Sequence, residues 1–200
     1  MKRTVLIIHP GALGDILLAV PAIRRLSLKF PQHEIVLVAA AAVSRLLLEC
    51  GVISDWLPLE GHACLGLFSG ASSISKELYS CVNRCDRAVV WMEDKEGVLG
   101  SFFQEFGVAN VQIQSPFSKG LRARHQSNRF LETLSEPTRD SVSESTVQVP
   151  PHLLERGKDI LDALRISQEQ SLVVVHPGSG SVHKRLEPRR MASLIERLWQ

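Results

Sequence analysis

Apolar positions along the chain fall in short runs separated by amphipathic stretches, and this alternation sets the expected architecture. Residues 5–8 form an uninterrupted, mostly β-branched apolar run of the kind a buried parallel strand shows. His9, Pro10 and Gly11 break it, and Gly14-Asp15 opens an amphipathic helix. In that helix Ile16, Val20, Ile23, Leu26 and Phe30 share one face, while Arg24, Arg25 and Lys29 take the others. The pattern then predicts a strand over 34–39, a helix over 40–50 stopped by Gly51, and a weaker strand over 52–59. A Gly/Ser-rich passage over 61–75 leads to a helix ending near Asn83. A strand over 87–92, a helix over 95–106 and a short strand over 108–113 follow. Strands alternating with helices predict an α/β fold, a Rossmann-like parallel sheet with helices on both faces.

The pattern changes after the last of these strands. The run 119–129 carries Lys119, Arg122, Arg124 and Arg129 and no acid, which reads as a solvated helix face or as a contact for an anionic acceptor. Residues 135–151 are polar, flanked by proline and poor in large apolar side chains, the composition of a linker. The expected division is therefore a first domain over 1–135, a linker over 136–151 and the start of a second domain over 152–200. In that last part a helix is expected over 151–164, a strand over 172–175 and a helix over 188–199 with Met191, Leu194, Ile195 and Leu198 inward. One strand cannot make a parallel sheet, so the second domain is expected to be incomplete, a fragment or a truncated product.

Composition narrows the classes. The chain has 200 residues, 44% hydrophobic and 22% charged, as an ordinary globular protein does. A formal charge of +2 gives no argument for a nucleic-acid partner. No apolar run approaches the roughly 18 residues of a membrane span. Cys50, Cys64, Cys81 and Cys85 form no CxxC pair, which reads as reduced cytosolic thiols without a metal.

Two stretches carry candidate chemistry. The first is Gly11-Ala-Leu-Gly14-Asp15, at the carboxyl end of the first strand, where open α/β sheets bind ligands. It is GxxGD rather than the GxGxxG of dinucleotide sites. Asp15 either caps the helix or, as an anion among helix N-terminal donors, can accept a proton from a substrate close at hand. The second is His176-Pro-Gly-Ser-Gly-Ser181, followed by His183, Lys184 and Arg185. Ser179, Gly180 and Ser181 let backbone N–H groups and hydroxyls approach an anion, and Lys184 and Arg185 neutralise phosphate; the alternative is a plain Gly/Ser turn. VLIIHPG at 5–11 and VVVHPG at 173–178 echo one another, which predicts two similarly built domains.

Taken together, GALGDILLAVPAIRRL near the start and VVVHPGSGSVHKR late in the chain resemble glycosyltransferase family 9, the family of the lipopolysaccharide core heptosyltransferases. The resemblance implies a GT-B architecture, with the acceptor on the first Rossmann-like domain and a nucleotide-sugar donor mainly on the second. It implies an inverting, metal-independent transfer without a cofactor, from ADP-heptose or another nucleotide sugar to a lipopolysaccharide-core or related glycan. By position, Asp15 matches the general base, Gly11 and Gly14 the acceptor loop, and Lys184 the lysine near the donor phosphates, with Ser179, Gly180, Ser181 and Arg185 beside it. A cytoplasmic enzyme in peripheral contact with the inner face of the membrane is implied. Departures are Lys184-Arg185-Leu186-Glu187-Pro188 where the family has K-R-W-P, and no downstream Asp/His donor motif before Gln200. The other readings are a non-catalytic remnant that binds acceptor and a Rossmann-fold nucleotide-dependent oxidoreductase. The oxidoreductase reading meets no acid after the second strand, where 39–42 is all alanine.

Overall fold

A computed structural model describes residues 2–69, 74–123, 125–135, 146–167, 171–178 and 185–198. The chain divides into two compact units, up to Pro151 and from His152. The first is built on five parallel strands: β1 (Arg3–Ile8), β2 (His33–Ala39), β3 (Asp55–Pro58), β4 (Cys85–Val90) and β5 (Asn110–Ile113). Their spatial order is β3-β2-β1-β4-β5. β1 is therefore central, and its pairing puts Ile8 level with Val38 on one side and Val90 on the other. The reversal of strand order on either side of β1 makes its carboxyl end the switch point of the sheet.

Helices cover both faces, as the continuous apolar strands require. On one face Val5, Ile7, Ile35 and Leu37 pack against α1 (Leu13–Lys29), α2 (Ala41–Glu49) and α6 (Gln126–Thr133). On the other, Leu6, Ile8, Val36 and Val38 pack against α3 (Gly66–Ser69), α4 (Lys76–Val82) and α5 (Val98–Glu105). The helical face read from the sequence of α1 is the buried one: Ile16, Val20, Ile23 and Leu26 are each no more than 2% exposed. This is the α/β, Rossmann-like sheet expected from the pattern.

The differences are local. β4 begins two residues earlier than expected, because Cys85 pairs with Thr4 before a bulge at Asp86. The Gly/Ser-rich passage holds a 3₁₀ turn over His62–Cys64 and then α3, since Cys64 and Leu67 are drawn into the core. The basic run 119–129 is not one helix: its first half is irregular, and its second half enters α6, which buries Phe130 and Leu131 against α1.

In the second unit, α7 (Pro151–Ala163) and α8 (Pro188–Leu198) form as expected. The strand expected over 172–175 does not: residues 171–178 make no ladder, and among the described residues of this unit there is no strand for them to pair with. Leu194, Ile195 and Leu198 are 46%, 40% and 53% exposed rather than inward. With Ile166, Leu172 and Val175 beside them, Ile195 and Leu198 line an apolar cavity of about 600 Å³.

Candidate functional site

β1 ends at Ile8, and its two neighbours hold the next residues in place: His9 N–H donates to Val38 O at 3.0 Å, and Trp91 N–H to Ile8 O at 2.9 Å. The chain then turns through Pro10 and Gly11 into α1. The Gly11 N–H donates back to His9 Nδ1 at 2.9 Å. A β-carbon on Gly11 would stand 2.8 Å from Asp15 Cβ, so the turn brings the glycine and the acid together. The helix N-cap is Ala12, and no side chain caps it. Asp15 is therefore not the cap but a half-buried acid in the first turn. Free N–H groups and the positive end of the helix dipole make this turn attractive to an oxygen-rich ligand. Gly11, Gly14 and Asp15 are thus brought together at the carboxyl edge of the central strand.

His9 is the member of this turn that the sequence did not mark as functional. Its ring is 1% exposed and stacks between aromatic edges, 5.8 Å from Trp91 and 5.2 Å from Phe130 by ring centroids. Trp91 Nε1–H donates to Thr133 Oγ1 at 2.9 Å, and Thr133 donates to Phe130 O at 2.6 Å, which fixes the walls of this box. Burial pushes the imidazole down to about 4, against the opposing pull of the Asp15 charge and backbone. A neutral ring that accepts at Nδ1 carries its proton on Nε2, and Nε2 finds no partner among the described residues. The signal available in the sequence was the break itself: a histidine directly after a buried strand sits at the edge of the core.

Beyond the carboxyl end of β4, a cavity of about 370 Å³ is lined by Phe68, Met92, Asp94, Lys95, Val98 and Leu99. Asp94 is occupied in holding the start of α5, accepting from Leu99 N–H at 3.2 Å and Gly100 N–H at 2.9 Å. No local pattern singles out this cavity, because it joins α3 to the β4–α5 loop across about 25 residues of chain.

The second candidate stretch is described only in part. Ser179, Gly180, Ser181 and Lys184 lie outside the described residues, and Arg185 is exposed. His176 repeats part of the first turn: its Nδ1 lies 2.9 Å from Gly178 O, and a β-carbon at Gly178 would meet its Cε1 at 3.2 Å. Unlike His9 it is exposed.

Other chemistry is limited. The four cysteines are free, and burial pushes the Cys64 and Cys85 thiols up to about 11, far from the thiolate a nucleophile or metal ligand needs. Among the described residues no three His, Cys, Asp or Glu side chains cluster as metal ligands, and no helix is long and apolar enough to cross a membrane.

No protein-family model matches the sequence, and no curated protein does. Solved structures do. A glycosyltransferase family 9 protein of Veillonella parvula superposes with a TM-score of 0.70 at 13% identity over 98% of this chain. E. coli ADP-heptose lipopolysaccharide heptosyltransferase II superposes with a TM-score of 0.65 at 18% identity over 99%. The chain has the fold of these family 9 glycosyltransferases. It spans 59% of the first protein and 61% of the second. At such identities the shared property is the fold.

Proposed function

We propose that the protein is a glycosyltransferase of the ADP-heptose:lipopolysaccharide heptosyltransferase type, acting at the inner face of the cytoplasmic membrane. The observation that carries this reading is the Gly11–Asp15 turn at the switch point of a sheet with the family 9 fold. The acceptor is a lipopolysaccharide-core or related glycan hydroxyl, and the donor is ADP-heptose or another nucleotide sugar.

In this reading Asp15 takes the proton of the acceptor hydroxyl as its oxygen attacks the anomeric carbon. The bond from that carbon to the donor diphosphate breaks, and the nucleoside diphosphate leaves with the electron pair. Lys184, with Arg185 and the Ser179–Gly180–Ser181 loop, stabilises the charge on the leaving diphosphate. One displacement inverts the anomeric configuration, and no metal is needed where lysine and backbone N–H groups neutralise the phosphates. His9 keeps the turn in shape without adding a charge beside Asp15. An oxidoreductase reading finds no support at β2, whose carboxyl end leads into α2 through Ala40 with no acid to hold a ribose.

The test is direct assay of the full gene product with ADP-heptose and with a panel of other nucleotide sugars, using core-type acceptors. The expected result is acceptor-dependent release of nucleoside diphosphate and a product of inverted anomeric configuration by NMR. A protein that binds acceptor but releases no diphosphate from any donor would leave only the non-catalytic reading.

A further inference from the structure

The basic run is the sequence feature that the proposed reaction leaves unused. In the fold it begins in the loop that joins the carboxyl end of β5 to α6. The loop is tightly built. Ser118 Oγ donates to Ser115 O at 2.6 Å, Leu121 N–H to Ser118 O at 3.3 Å, and the Gln126 amide to Pro116 O at 3.2 Å. Arg122 and Ala123 N–H groups both donate to the Glu132 carboxylate at 2.9 Å, and Arg129 Nε donates to Ala123 O at 2.8 Å. Leu121 is buried as an anchor. A loop so constrained holds its outward side chains outward by construction.

Those side chains are Phe117, 58% exposed, with Lys119 and Arg122 also exposed. Lys119 meets no acid among the described residues. The Glu132 carboxylate accepts from the Arg122 and Ala123 N–H groups, and the Arg122 charge beside it also favours its anionic form, while the Arg122 side chain stays exposed. Segments following the carboxyl ends of β1 and β3 also display large apolar side chains: Leu13 at 46%, Leu65 at 48% and Phe68 at 46% exposed. These lie on the same edge of the sheet as Asp15. An aromatic ring flanked by exposed cations on a hydrogen-bonded loop is complementary to a bilayer surface, where the ring enters the headgroup boundary and the cations meet anionic lipid. A single-stranded nucleic acid would be served by several stacking rings along a groove, and this loop offers one.

We propose that the loop over 115–123 seats the protein on an anionic lipid bilayer through Phe117, Lys119 and Arg122. The transferase reading enters only in what the seat is for: it holds the Asp15 edge of the sheet beside an acceptor carried in that membrane. Each cation near an anionic surface is worth about fivefold in partitioning, so the seat is weak, reversible and sensitive to salt.

The test is sedimentation of the protein with phosphatidylglycerol-containing vesicles against pure phosphatidylcholine vesicles, and in parallel its binding to a single-stranded RNA oligomer. The expected result is binding to the anionic vesicles alone, about tenfold or more weaker in a Phe117→Ser/Lys119→Gln/Arg122→Gln variant of unchanged circular dichroism. Equal binding to both vesicles, full binding by the variant, or RNA binding without vesicle binding would overturn the proposal. Should the variant misfold, Phe117→Trp reports instead: quenching of the added indole by brominated acyl chains is expected, and an unquenched indole overturns the seat. Loop-dependent binding in a protein without transferase activity would remove the enzyme reading and leave the seat. Transfer without loop-dependent binding would do the reverse.

Discussion

Gly11 lies beneath the imidazole of His9, so closely that a β-carbon at position 11 would stand 2.4 Å from His9 Cε1. The ring cannot swing aside cheaply, because Trp91 and Phe130 pack against it and its Nδ1 is held by the Gly11 N–H. The same β-carbon would press on Asp15, so the contact ties the end of β1 to the first turn of α1.

Gly11→Ala is therefore expected to destabilise the first unit by about 1–3 kcal/mol, the range for overpacking a well-filled site. Chemical denaturation monitored by Trp91 fluorescence checks this, since that indole forms one wall of the box. An unchanged midpoint would show that the turn yields without cost and that the close approach has no mechanical role.

His9 gives the fold a pH dependence whose sign follows from its burial. Its folded pKa, about 4, lies below the ordinary histidine value of 6.5, so between those values the unfolded chain binds a proton that the folded chain does not. The stability contributed by keeping the ring neutral is fully present above pH 6.5, falls as pH drops through the window, and is gone below pH 4. Over the upper part of that window, before carboxylates titrate, the slope approaches roughly 1.4 kcal/mol per pH unit. Denaturation midpoints at several pH values, for the protein and for His9→Gln, measure it. A His9→Gln protein with the same slope would assign the loss to other groups.

The sheet was legible because its strands are buried on both faces and read as plain apolar runs; Val5 to Ile8 could hardly be anything else. The Asp15 turn was legible for a related reason, since glycine and a polar break mark where such a strand ends. Whether Asp15 caps the helix was not legible, because Ala12 as N-cap depends on where the chain turns and not on residue type. His9 was missed because its character comes from Trp91, Phe130 and Thr133, which lie far along the sequence on β4's extension and α6. The strand expected over 172–175 failed for the converse reason. Its valines have the propensity, but a strand is defined by its neighbours, and none is present among the described residues of that unit.

Lys184 is expected to act on phosphate and not on packing. Lys184→Ala should weaken ADP binding about tenfold, the scale of one charge-assisted contact, and slow transfer, while Lys184→Arg keeps much of the affinity. Calorimetric titration with ADP, alongside thermal melts, separates this from unfolding. Affinity and turnover both unchanged in Lys184→Ala would take Lys184 out of the donor site.

Asp15→Asn is the sharpest test of the turn. Asparagine keeps the size of the side chain and removes the carboxylate that would accept a proton. Since Ala12 is the N-cap and no side chain caps α1, the structural cost is confined to losing a negative charge near the positive end of the helix, about 0.3–1 kcal/mol. The chemical cost is of another size: removing a general base lowers turnover by about 10²-fold or more. The two effects are read separately, the first from the denaturation midpoint and the second from steady-state transfer. Donor affinity should stay near that of the parent, because in the proposed reaction Asp15 acts on the acceptor, so the loss should fall on kcat and not on the donor KM. A variant that transfers sugar at close to the parent rate would exclude Asp15 as the base. A large fall in stability would instead show that the carboxylate holds the turn, and the search for a base would then move to the cavity beyond β4, where Glu93, Asp94 and Glu96 are the acids at hand.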